Sequence, residues 1–378
     1  MLKTLRKRKR VVFFLAVLLL LAVLSAPRLL KMRTPVLSEE ARQFFLQVRS
    51  DQVFNNALVS GSEGFLAVGD QLAGMDGYRI NLYGPGHTPE LILNTLGVDA
   101  ATLQLYSLWP HLYFDDWSSD SLTLYDYHLE TQKLQKLCQV PKCRFWAVTG
   151  DSFVYLVYTS FEEQEQAPLH IRDLVTGEDR QICPAASSFG LVEGELRYVS
   201  YREEDDSYDV YRYDESQNIS HSIGSFPALL GKNCQFQFCP NKIVMARYGT
   251  DVLNRDYDPQ RAMQMVVYDL PSESVETYSL PADVYQLIAA DSYAYAVVYK
   301  IVGGGDFGIY RIDLENGELH DITPTGELGG VTILWVESDE RAYIMQFHGF
   351  SNNAWGSLHR YDADTDQTEF LCWLDETI

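Results

Sequence analysis

One segment recurs along this chain and constrains its fold more than any other feature. Residues 309–323, IYRIDLENGELHDIT, alternate apolar and polar side chains, break at Asp313-Leu314-Glu315-Asn316-Gly317, and alternate again. That is the pattern of two antiparallel strands joined by a tight turn. Relatives of it are RINLYGPGHTPELIL (79–93), LTLYDYHLETQKLQKLC (122–138), LHIRDLVTGEDRQIC (169–183), DVYRYDESQNISHSI (209–223), MVVYDLPSESVETYSL (265–280) and LHRYDADTDQTEFLC (358–372). With Gly84, His128, Asp173, Asp214, Asp269, Asp313 and Asp362 as equivalent positions, successive copies lie 44, 45, 41, 55, 44 and 49 residues apart. Repeats of about 40–50 residues built from short strands belong to radially repeated sheets.

Two further alternating runs precede each hairpin, as in TLQLYSLW and HLYFDDW before the copy at 122–138. Each repeat then holds four strands, lettered A to D along the chain. The expected fold is all-β, a seven-bladed β-propeller of four-stranded antiparallel sheets over residues 51–378, preceded by an N-terminal transmembrane helix and a short linker helix. No surplus strand offers itself for exchange between the first and last blades, which leaves the ring closure open.

The turn residues explain why the copies look alike. Asp bonds backbone two residues on, and Gly177 or Gly317 takes a positive φ, so Asp-Leu-x-x-Gly-Glu closes a hairpin. The aromatic before the turn (Tyr83, Tyr127, Tyr213, Tyr268, Tyr361) is expected to pack between neighbouring sheets.

The first 50 residues are different. MLKTLRKRKR (1–10) carries six cations and reads as a basic cytoplasmic segment. An uncharged apolar run, Val11 to Ala26, follows, and Leu29 and Leu30 extend it if Arg28 snorkels. Residues 11–30 are therefore read as a transmembrane anchor or uncleaved signal, since Val23-Leu24-Ser25 fits an A-x-A cleavage site poorly. The excess of cations before the run places the N-terminus in the cytoplasm and the propeller outside, on a single-pass cell-membrane protein. Residues 31–50 are a linker whose stretch Ser38–Val48 has a Ser cap and apolar Phe44, Phe45 and Val48, the pattern of a short stalk or packing helix.

Setting aside the nine cations of residues 1–34 leaves 21 basic against 52 acidic residues, a net of −31. Such a surface repels phosphate backbones and anionic headgroups. No nucleic-acid partner is expected, and membrane contact is expected through the N-terminal helix only.

The hairpin residues resemble those of the bacterial extracytoplasmic β-propellers, loosely the Tol-system propeller with its YD-x-x-TGE repeats. The likeness covers most of residues 50–378 through blade-closing residues, and it implies a fold and no activity. WD-repeat and kelch signatures are missing.

A-to-B and C-to-D turns are short and lie on one side of such a disc, the turn face. B-to-C loops lie on the other and vary: 115–121, 160–168, 202–209, 247–264, 300–308 and 348–357. Function concentrates in loops carried on a rigid frame. The candidate ligand or partner contacts are Asp115, Asp116, Trp117, Arg255, Asp256, His348, Asn352, Asn353 and Trp355. The expected partner is a protein, peptide or carbohydrate of unknown identity, and the expected function is a membrane-anchored binding or scaffolding propeller working through the B–C face. The alternative is a propeller hydrolase or lyase with a site at the central opening.

Catalytic signatures are absent: no G-x-S-x-G, no H-E-x-x-H and no sialidase-type Asp box. Of the eight His, five (His128, His170, His221, His320, His359) fall in the hairpins after the first; only His348, and less well His87 and His111, could reach the centre. No catalytic residue, cofactor or metal is assigned. Asp362-Ala-Asp364-Thr-Asp366 mimics the start of a calcium loop but has Gln367 and Trp373 where Gly and Glu belong, and reads as a turn. Glu203 to Asp206 lacks a full ligand set. Cys138, Cys183 and Cys372 recur at one place in strand D and read as small core residues. Cys138 with Cys143, and Cys234 with Cys239, are candidate short-range disulfides.

Overall fold

The computed structural model describes residues 37–47, 57–60, 65–71, 77–86, 88–96, 104–117, 120–157, 166–232, 234–247, 259–300, 306–324, 330–337, 341–348 and 355–374. Strands dominate because turn chemistry recurs wherever the alternation breaks. Asp173 accepts the N–H of Val175 (2.8 Å) and Thr176 (2.7 Å), Asp313 those of Glu315 (2.7 Å) and Asn316 (3.3 Å), and Asp362 those of Asp364 (3.0 Å) and Thr365 (3.2 Å). The calcium-like string at 362–366 is thus a hairpin turn. Four residues after six of the seven anchors the backbone turns left-handed: Gln132, Gly177, Asn218, Glu273, Gly317 and Asp366 have φ between 53° and 75°. Glycine stands at only two of these, so the others hold a conformation L-residues adopt at a cost.

The described strands form seven four-stranded antiparallel sheets, each from strands consecutive in sequence. Blade 1 runs from Ala57 to Leu96, blade 2 from Leu105 to Pro141, blade 3 from Cys143 to Ala186, blade 4 from Ser188 to Pro227, blade 5 from Cys234 to Ser279, blade 6 from Asp283 to Asp321 and blade 7 from Gly330 to Leu374. The A strands are innermost, and that of blade 1 (Ala57–Ser60) lies beside those of blade 2 (Leu105–Leu108) and blade 7 (Gly330–Glu337). The ring closes by that packing, with no exchanged strand. Between the sheets sit the expected tyrosines, Tyr83, Tyr127, Tyr213, Tyr268 and Tyr361, all buried.

The expected seven-bladed propeller of four-stranded sheets behind a transmembrane helix is corrected in the outer strand of one blade, and no transmembrane helix stands among the described residues. Six sheets carry an outer strand of at least six residues, but that of blade 6 is cut to Leu319–Asp321. Thr323 Oγ1 instead accepts the N–H of Ile309 (2.9 Å), a side chain taking the place of a ladder partner. Among the described residues no helix is long and apolar enough to cross a membrane. Residues 1–30 lie outside the described residues.

Helix α1, Glu39–Gln47, takes the place of the expected linker helix. Ser38 Oγ caps it by accepting the N–H of Ala41 (3.1 Å), while its own N–H donates to Glu90 Oε1 (2.8 Å). Ala41, Phe44 and Phe45 are buried in a cluster with Ile80, Ile92, Leu112 and Tyr127 of blades 1 and 2. The helix packs; it is no free stalk.

Candidate functional site on the B–C face

Asp115 and Asp116 are the last described acids before the B–C loop of blade 2, on strand B, His111–Trp117. Neighbouring strand residues point to opposite faces. Asp115 is 2% exposed and accepts from the Gln104 N–H (2.9 Å) and from Trp146 Nε1–H (3.0 Å), the indole belonging to blade 3. Its carboxylate joins two blades rather than facing the loops. Asp116 is half-buried, and its charge, behind burial, helps raise the Tyr125 phenol.

The structure brings His348 and Trp355 together as a paired position at the B–C rim of blade 7, and pairs Trp117 with Leu122 at that of blade 2. Arg255, Asp256, Asn352 and Asn353 lie outside the described residues, as does His87. His111 stands at the turn-face end of blade 2 and is held by Asp126 through Nδ1 (3.0 Å), away from the centre. The B–C loop of blade 4 is self-satisfied. Arg202 donates to Asp205 (2.8 and 2.7 Å) and Asp209 (3.1 Å), Tyr201 OH donates to Asp206 (2.7 Å), and Lys232 pairs with Glu203 (2.9 Å). The Arg202 guanidinium, and behind it the Ser207 hydroxyl, hold the Asp205 carboxyl down at about 2. Among the described residues no cluster of His, Cys, Asp or Glu is arranged to hold a metal.

A feature that the sequence pattern did not single out stands at the B–C rim of blade 6. Strand A there, Asp283–Ala289, bulges at Tyr285: Val284 pairs with Val298 and Gln286 with Val297, leaving Tyr285 out of the ladder. Tyr285 is 48% exposed. Its ring meets Phe307 edge-on at 6.0 Å, and Phe307 packs on Tyr299 at 4.5 Å. Tyr299 and Phe307 are cross-strand partners flanking the loop 301–305, which places the trio on the B–C side.

The bulge is clamped from both neighbours. Gln235 of blade 5 donates to the Tyr285 carbonyl (3.4 Å) and accepts the Leu287 N–H (2.9 Å). Gln286 in turn donates to the Ile333 carbonyl of blade 7 (2.7 Å) and accepts the Ile333 N–H (2.9 Å). Two side-chain amides thus act as pieces of backbone between inner strands. Gln104 repeats half of the device by donating to the Trp146 carbonyl (2.8 Å). The backbone that carries the exposed ring is thus held on both sides, as a rigid binding surface requires.

A cavity of about 410 Å³ opens on the other side of the disc, between blades 3 and 4. Glu195, Arg212, Asp214 and Glu215 line it, Arg212 pairing with Glu195 at 3.7 Å and Glu215 accepting from Ser152 Oγ at 2.6 Å. Its polar groups are occupied with one another.

All six cysteines are free thiols in the structure, including the two candidate pairs. Cys234 opens the extended strand Cys234–Phe238 and Cys239 follows it, so the pair is about 16 Å apart along the strand. A disulfide needs Cα atoms within roughly 7 Å. Cys138 and Cys143 sit on separate strands, the outer one of blade 2 and the inner one of blade 3. Burial pushes the Cys138 thiol up to about 11 and the Cys234 thiol up to about 12. Cys138 and Cys183 are buried opposite Leu124 and Leu169, as expected of small core residues.

The fold and its rim define a β-propeller, and comparison with known proteins goes no further than that. No family model matches the chain, and no curated protein matches it. Among solved structures it is similar to a prolyl endopeptidase, with TM-score 0.56 and 11% identity over 89% of this chain and 52% of the other. The chain thus spans about half the length of that enzyme. AztD of Citrobacter koseri is similar at TM-score 0.51 and 12% identity, covering 85% of this chain and 86% of AztD. TolB of Acinetobacter baumannii aligns over 81% of this chain and 78% of its own at 14% identity, with TM-score 0.40. Identities this low speak for the fold alone.

Proposed function

We propose that this protein is a binding propeller, displayed outside the cytoplasm from a membrane-anchoring N-terminal segment, which takes a peptide or carbohydrate on the B–C face at blades 6 and 7. The observation that carries the reading is Tyr285, an exposed aromatic on an innermost strand, backed by Phe307 and Tyr299 and fixed by two glutamine clamps. Sugar rings and extended peptides both offer apolar faces with polar edges, the complement of such a platform. The paired rim position of His348 and Trp355 in the next blade supports a surface that continues across the blade boundary. The basic and apolar composition of residues 1–30 supports the anchor.

Glycan and peptide arrays probed with residues 35–378 supply the test. Tyr285→Ala should weaken binding of any ligand found by about tenfold, as expected for loss of an aromatic anchor worth roughly 1–2 kcal/mol, with thermal stability unchanged. A ligand bound equally well by the variant, or one that shields the turn face instead, would sink the proposal.

A further inference from the structure

Helix α1 lies at the turn face of the propeller. Helix α1 is held to the turn face by contacts at three places: Ser38 on Glu90 at the start of the blade 1 outer strand, Arg42 on Glu130 in the blade 2 C–D turn (3.4 Å), and Arg42 over the ring of Trp109 in the blade 2 A–B turn (5.8 Å). Phe44 and Phe45 are buried beneath it. Seen from the membrane-anchored reading above, on which this inference rests, the linker leaves the folded body at that face. Seven residues lie between Leu30 and Ser38, so the two are at most about 28 Å apart. Strands of eight residues, as in blade 4 strands B and C, make the disc roughly 25 Å deep.

We propose that the propeller stands with its turn face toward the bilayer and its B–C face directed away. The opposite orientation would spend nearly all the linker's reach in passing the disc edge. The acidic body and its short tether act together, since like-charge repulsion keeps the disc off an anionic surface while the linker limits how far it moves. The B–C rim then meets partners that approach from outside, and the blade 3–4 cavity faces the membrane.

The test uses the full chain reconstituted in phosphatidylcholine vesicles whose headgroups carry an energy-transfer acceptor. A donor dye is attached at Val175→Cys in the blade 3 C–D turn, 76% exposed, or at Glu204→Cys in the blade 4 B–C loop, both in a Cys372→Ser background. The native thiols are otherwise buried. Transfer should be clearly greater from position 175. Equal or greater transfer from position 204 overturns the orientation while leaving the anchor intact. Failure of the chain to join the vesicles overturns both, and the two failures are read separately by co-flotation.

Discussion

At the residue scale, the fifth position of each hairpin turn decides how well the blade closes. Gly317 has φ +72°, and a Cβ there would collide with the ring of Tyr278, whose hydroxyl donates to the Leu314 carbonyl (3.1 Å) from the neighbouring blade. Gly317→Ala therefore incurs both backbone strain and a clash, and should cost about 2 kcal/mol or more in denaturant titration. Glu273 occupies the same position in blade 5 at φ 54°. Glu273→Gly should relieve that strain and raise stability by about 0.5–1 kcal/mol, the gain being offset in part by glycine's larger unfolded-state entropy. A variant less stable than the parent would show that the Glu273 side chain matters more than its backbone. The Asp at the turn start and the glycines were legible in the sequence. The left-handed Gln132, Asn218, Glu273 and Asp366 were not, because nothing in those residue types demands a positive φ.

At the element scale, blades are joined by amides whose partners lie 47 to 52 residues away. In a strand pattern Gln235 and Gln286 read as ordinary polar positions, which is why the clamps, and with them Tyr285, escaped sequence reasoning. Asp115 was misplaced for the same reason: alternation says that an acid faces one side of a sheet, not that a tryptophan of the next blade waits there. Gln286→Leu leaves the N–H and carbonyl of Ile333 without their partner at the blade 6–7 junction. It should lower stability by about 2–4 kcal/mol, and limited proteolysis should then open blade 7 first. A midpoint of unfolding equal to that of the parent would show that the clamp is dispensable.

At the scale of the whole molecule, the repeated turn carboxylates couple stability to acid. Asp173, Asp269 and Asp362 are all held below the usual carboxylate range, chiefly by N–H and hydroxyl donors within their own turns. A depressed folded-state value means that the charged form is favoured by folding; the contribution is full above the unfolded value and is lost as pH falls through the folded one. The stability gap between the parent and an Asp173→Ala, Asp269→Ala, Asp362→Ala variant should be widest at neutral pH and narrow below about pH 4. A gap that widens on acidification would contradict this assignment.

What the sequence by itself determined is the local grammar: alternating strands, Asp-led hairpins, the tyrosines between sheets, and a repeat period that calls for radial sheets. These follow from side-chain period and turn chemistry, which act over a few residues. The tertiary structure alone decided that the cysteines stay free thiols, that blade 6 has a truncated outer strand, that Asp115 is buried against Trp146, that α1 lies on the turn face, and that Tyr285 is exposed between two clamps. Each of these depends on which side chains from neighbouring repeats meet across a blade boundary, and that is set by how the sheets pack around the axis, not by the order of residues within any one of them.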